Sequence, residues 1–196
     1  MARSLRRRGL RVARVVACML LWSAATAAHA GTDHCAGLSP AGAVAAAARA
    51  YPQFRAPNAD DNAADDIASA LSRHGSGCLG IARGDLDGDS KGDVVIALSA
   101  RDGSGAAMVV AALRRGAGWR VERLEAWPDG RGRLFVDVSP AGRFSRTRAL
   151  AGERLEPGEA SALRCPHAVA VVGAVESSAV AHCRRGAAWR FVRISD

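Results

Sequence analysis

Hydrophobic residues change their spacing once along this chain, at Gly75. Before it, an alanine-rich run is bounded by Ser39-Pro40 and Tyr51-Pro52. Serine caps a helix, proline suits the first turn, and the second proline stops it. The polar connection "RAPNADDNA" (55–63) leads to a second predicted helix that ends at Gly75. Asn62 or Asp60 supplies its cap, Asp65 and Asp66 occupy its first turn, and Ile67 and Leu71 define an apolar stripe.

After Gly75 the pattern becomes that of strands. "CLGIAR" (78–83), "DVVIALS" (93–99), "AAMVVAALR" (106–114) and "WRVERLEA" (119–126) are short runs rich in Val, Ile and Leu, separated by turn material. They predict an antiparallel four-strand meander. "GRLFVDVSP" (132–140) adds a strand, and 141–161 reads as one strand plus a loop.

The pattern then repeats. "RRGAGWRVER" (114–123) recurs as "RRGAAWRFVR" (184–193), aligning Trp119 with Trp189, and "DVVIAL" (93–98) has a counterpart in "HAVAVV" (167–172). In the second copy "ESS" (176–178) is a shorter turn and the aspartates are missing. Two copies fall short of a propeller ring, which takes at least about four blades. The predicted class is α+β: two blade-like β-meanders with the N-terminal helices covering an exposed face. The expected divisions are 31–77 (helical), 78–126 (first meander) and 127–196 (second, degenerate unit).

Composition alters this picture at the start of the chain. Arg3, Arg6, Arg7, Arg8, Arg11 and Arg14 precede the apolar run "VVACMLLWSAATA" (15–27) and the small-residue site "AHA" (28–30). That is the layout of a secretory signal peptide, residues 1–30, cut after Ala30. Its apolar part is shorter than the roughly 20 residues that span a bilayer. A lipoprotein box at Cys18 has too little apolar sequence before it, and the residues around Arg7-Arg8 match a twin-arginine signal weakly. The expectation is a periplasmic or extracellular protein without a stable membrane anchor. Without the six leader arginines, 21 basic residues face 19 acidic ones, a net charge of +2. A nucleic-acid partner therefore loses its electrostatic support.

Four cysteines remain beyond the leader: Cys35, Cys78, Cys165 and Cys183. An even count in an oxidising compartment argues for two disulfides, and four cysteines allow three pairings. The expected one joins Cys35 to Cys78, tying the N-terminal segment to the sheet, and Cys165 to Cys183, clamping the C-terminal strands.

The strongest chemical signal is "GDLDGDSKGD" (84–93). Asp85, Asp87 and Asp89 alternate, so a turning loop can aim their carboxylates at one point, with Asp93 and the backbone carbonyl of Lys91 as further oxygens. Oxygen-only sites of this kind select hard cations, and Ca²⁺ tolerates their flexible geometry. Positions six and twelve from Asp85 hold Ser90 and Ile96, which excludes an EF-hand. "GDLDGDSKGDVVIAL" (84–98) resembles the calcium loop of FG-GAP and VCBS-type repeats. The resemblance implies one Ca²⁺ site with Asp85, Asp87, Asp89 and Asp93 as side-chain ligands and Lys91 as a carbonyl ligand. Ser90 stands where that family has glycine, and must adopt a conformation easier for glycine.

Two other readings of the loop compete. A haloacid-dehalogenase-type phosphatase also begins "DLDG", but needs threonine or valine at position 89 and alternating helices and strands afterwards. A solvated turn without an ion would leave four aspartates repelling one another within nine residues. Beyond the loop, Arg143, Arg146 and Arg148 alternate with Phe144 on a predicted strand, either a solvated face or a patch for an acidic partner. Trp119, Trp127 and Trp189 either pack or line a sugar-binding face. His34, His74, His167 and His182 form no HExxH or serine-triad spacing, and Ser177-Ser178 reads as a turn. The functional expectation is a non-enzymatic, calcium-stabilised recognition domain for a protein or glycan. The alternative is a periplasmic inhibitor or immunity-like protein that blocks a cell-wall hydrolase.

Overall fold

Strict alternation in two central strands decides the architecture. The structure, a computed structural model, describes residues 33–195, the side chains of Ala59 and His74 aside; the leader residues 1–30 lie outside them. In β3 (Asp93–Ala100) and β4 (Ala107–Arg115), Val94, Ile96, Leu98, Met108, Val110 and Ala112 point to one side. Val95, Ala97, Ala107, Val109, Ala111 and Leu113 point to the other. A strand buried on both faces needs a layer on each side.

The chain supplies those layers. The first sheet orders β1 (Phe54–Arg55), β3, β4 and β5 (Gly118–Trp127), with β2 (Ile81–Gly84) pairing β3 beside β1. The second orders β11 (Ala188–Ser195), β10 (Ala179–Arg185), β9 (Val169–Ala174) and β6 (Leu134–Ser139). All strand pairings within the sheets are antiparallel. Leu134, Val136, Ala170 and Val172 of the second sheet meet the odd-numbered side of β3 and β4, forming a shared core. Helix α1 (Ala41–Ala50) covers the other side through Ala43 and Ala47. The outer face of the second sheet is covered by a hairpin of β7 (Gly142–Ser145) and β8 (Ala162–Cys165), through Leu163 and Cys165. The described residues thus form an α+β fold, built from antiparallel meanders and two α-helices, and among them there is no closed barrel.

Particular expectations change. Of the two described helices, α1 covers a sheet face, whereas α2 (Ala64–His74) contributes Ala70 and Arg73 to a cleft beside β2 and β6. Its predicted stripe is displaced: Ala70 is buried and Leu71 is 40% exposed, so the contact runs from Ile67 in a three-residue rather than a four-residue step. Asn58 caps a 3₁₀ turn at 59–61, leaving Ala63 as the N-cap of α2. The segment 141–161 holds one strand, β7, and a loop as expected, and β8 follows directly at 162 and pairs back on β7.

Both cysteine pairings form as expected: Cys35–Cys78 with Cα atoms 4.8 Å apart and Cys165–Cys183 with Cα atoms 5.7 Å apart. The first anchors the segment before α1 to the connection between α2 and β2, and the second fastens the covering hairpin to β10. Such a crosslink contributes roughly 2–4 kcal/mol. Among the described residues, no helix is long and apolar enough to cross a membrane.

Candidate metal centre

The aspartate loop connects β2 to β3 and is held from within and below. Leu86, in its middle, is fully buried in the core shared by the two sheets. Gly88 adopts φ +81°, which favours glycine, and its missing side chain leaves the room that the His167 ring fills. The Ala168 N–H also donates to the Asp85 carbonyl at 3.2 Å. Ser90 takes φ +61°, the left-handed conformation that its position demands.

Carboxylate oxygens of Asp85, Asp87 and Asp89 lie within 4.8 Å of one another. Asp85 organises the loop: its Oδ1 accepts from the Gly88 and Asp89 N–H groups at 2.7 and 3.1 Å, and its Oδ2 from Ser90 at 2.9 Å. Lys91 donates its backbone N–H to Asp89 Oδ1 at 3.0 Å and its ammonium to Oδ2 at 3.1 Å. Arg115, at the end of β4, reaches the same group, pairing Nη2 with Asp87 Oδ2 and Nη1 with Asp89 Oδ2 at 3.3 Å. The Lys91 hydrogen bond holds the Asp89 carboxyl below its ordinary range, with Arg115 adding to the effect. Asp87 is the telling member. Its side chain is only 8% exposed, and Oδ1 is buried with no hydrogen-bond donor. Burying an unpaired carboxylate oxygen costs free energy that a cation would recover.

Asp93 stands apart from the other three. It is fully buried, and both oxygens are engaged by backbone N–H groups: Oδ2 by Leu86 at 2.9 Å and Oδ1 by Arg114 at 2.7 Å. Burial raises its pKa against these two hydrogen bonds, and the charges of Asp87 and Asp89 add to the rise. The structure therefore gathers three of the four expected carboxylates and uses the fourth to fasten the loop to β4.

No protein-family model, curated protein or solved structure matches this chain. The reading of the loop therefore rests on its own geometry. Three carboxylates, an orphaned buried oxygen and a backbone already turned to suit them fit a hard divalent cation. Asp85, Asp87 and Asp89 are the residues that would hold it.

The other singled-out residues fare differently. Arg143, Arg146 and Arg148 do not form one face. Arg143 lies exposed on β7 and Arg148 in a 3₁₀ turn at 148–150, whereas Arg146 turns inward with its side chain 8% exposed. Its Nε lies 2.9 Å from Glu159 Oε1, and its Nη1 donates to the carbonyls of Leu150 and Glu153 at 2.8 Å each. The strand ends at Ser145, so the predicted alternation stops before Arg146.

The tryptophans are packed. The Trp119 and Trp189 rings each carry an arginine, Arg114 at 4.9 Å and Arg184 at 5.8 Å, as the repeat implies. Between the sheets, Glu122 accepts from Trp189 Nε1 at 2.6 Å and pairs with Arg184. Glu125 accepts from Trp127 Nε1 at 2.6 Å and contacts His182 Nε2 at 2.6 Å. This polar seam joins β5 to β10 and β11. Nothing in the local sequence announced it, since its partners lie 57 to 67 residues apart.

Proposed function

We propose that this protein is an exported recognition domain in which the 85–93 loop binds one Ca²⁺ and the metal serves structure rather than catalysis. The observation that carries this reading is the Asp85, Asp87 and Asp89 cluster with its unpaired, buried Asp87 oxygen. The FG-GAP/VCBS-type resemblance of 84–98 points the same way, and two disulfides suit an oxidising compartment. A protein or glycan is the partner class. Histidines and tryptophans serve packing: His182 is joined to Glu125, His167 lies on Gly88, and Trp119 is covered by α1.

Extracellular calcium modules bind at roughly 10⁻⁴–10⁻³ M. With about 1 mM free Ca²⁺ and a Kd of about 0.1 mM, linkage contributes about 1.4 kcal/mol of stability. Calcium is thus expected to raise the melting temperature by several degrees, and Asp87→Ala to abolish the increase. Superimposable melting curves in calcium and in excess chelator would refute the metal site.

A second reading, an inhibitor of a cell-wall hydrolase, is favoured by the 151–158 segment. Every residue in it is exposed, Leu155 being 42% exposed, while its base is pinned by Arg146, Glu159 and Arg193. A pinned, exposed loop with an apolar residue can enter an enzyme cleft with little entropy loss. The inhibitor reading predicts one-to-one loss of activity when the protein is added to a purified peptidoglycan hydrolase. Full activity across a panel of such enzymes, with capture of an envelope protein or glycan instead, returns the assignment to recognition.

A further inference from the structure

We infer that Arg115 is a tethered counter-cation that competes with the divalent ion for the aspartate cluster, so that metal entry expels its guanidinium to the surface. The inference rests on the calcium reading above. Arg115 and a metal need the same atoms: the guanidinium occupies Asp87 Oδ2 and Asp89 Oδ2, two of the oxygens that would face the ion. It answers only part of the demand, because Asp87 Oδ1 stays buried and unpaired beside it. A divalent ion can take both oxygens of one carboxylate, which this guanidinium does not do here. Guanidinium and divalent ion repel each other at contact distance, so the two alternate rather than share the site.

The geometry also gives the exchange a path. Arg115 is 40% exposed, whereas Asp87 is 8% exposed, so the arginine is the mobile partner. The backbone beside it is fixed: the Arg114 N–H is held by Asp93, and the Arg114 guanidinium stacks on Trp119. Exchange is then a side-chain event that leaves the β4–β5 hairpin in place. Charge bookkeeping agrees. Three carboxylates with Arg115 and Lys91 leave one net negative charge; with Ca²⁺ and Lys91 they balance. The metal-loaded protein consequently presents a free guanidinium that the metal-free protein hides in an ion pair.

The test is a calorimetric titration of CaCl₂ into the exported chain, its Arg115→Met variant, and Arg185→Met as the repeat-matched control. Arg185 occupies the equivalent hairpin position in the second meander and has no aspartate loop to engage. Arg115→Met is expected to bind calcium about five-fold more tightly, the scale of a partly exposed ion pair, and Arg185→Met to bind like the parent. In excess chelator Arg115→Met should melt below the parent, and in saturating calcium the two should coincide. Arg115→Lys, which offers one ammonium instead of a fork, should fall between them and serves if the methionine variant does not fold. Calcium binding by the parent with an unchanged or weaker Kd in the Arg115 variants would overturn the competition while leaving the calcium reading intact. Absence of calcium heat from every protein would overturn both.

Discussion

Asp93→Ala is expected to destabilise the protein by about 3 kcal/mol even in chelator, more than loss of any metal contribution. Its carboxylate accepts from Leu86 on the loop and Arg114 on β4, and hydrogen bonds to a charged group are worth about 1.5–3 kcal/mol each. Alanine would strand both N–H groups in a region where Asp93 itself is fully buried. Relief of the cost of burying the carboxylate offsets part of that loss. Asp93→Asn keeps one acceptor oxygen but turns an amide donor toward the other N–H, so its loss should be intermediate. Chemical denaturation in EDTA measures both. A variant as stable as the parent would mean that the loop is not fastened through this carboxylate.

Glu159→Ala is the second large effect. The side chain of Glu159 is 0% exposed and takes a two-pronged contact from Arg193, Nε to Oε1 at 3.0 Å and Nη2 to Oε2 at 3.1 Å, with Arg146 Nε 2.9 Å from Oε1. Oε2 also accepts from the Glu156 N–H at 2.9 Å. Removing it leaves the two arginines only the looser 3.7 Å ion pairs with Glu153 and Glu156 of the 151–158 segment. The expected cost is about 2–3 kcal/mol, below the ~3–5 kcal/mol of a fully enclosed pair, because Arg193 is 22% exposed and water recovers part of it.

The same group gives a pH signature. Arg193 hydrogen bonding holds the Glu159 carboxyl below its ordinary value, with Arg146 contributing through its charge. A depressed carboxylate stabilises the folded state above its ordinary pKa, and that contribution disappears as the pH falls through the depressed value. The stability difference between the parent and Glu159→Gln should therefore be full at pH 7 and shrink below about pH 4. A difference that is constant from pH 7 to pH 3 would contradict the ion-pair origin.

Strands and the duplication were legible because each has a local signature, whereas the cysteine count gave two disulfides and left three pairings open. Runs such as "DVVIALS" and "AAMVVAALR" contain apolar residues on both faces, and the copied "RRGA-W" turn marks equivalent hairpins with the same Arg–Trp stacking. The aspartate cluster was legible for a similar reason, as alternation in a loop brings side chains together without help from elsewhere. Asp93 was not, since its role depends on the Arg114 N–H of another strand, 21 residues on. Leu86 did leave a signal: an apolar residue flanked by aspartates inside a turn has reason to be there only if it is buried. Arg146 was misread because alternation says nothing about where a strand stops. Arg115 gave no warning at all, since a turn arginine is ordinarily solvated and only the fold brings it over the loop.

The coverings on the two outer faces have a further consequence. A repeated sheet that stacks face to face is an open-ended design, able in principle to accept a third and a fourth copy. Here one end is finished by a small-residue helix and the other by a hairpin riveted through Cys165 and Cys183. Different caps close the series at two, leaving neither broad β surface available as a template for further growth.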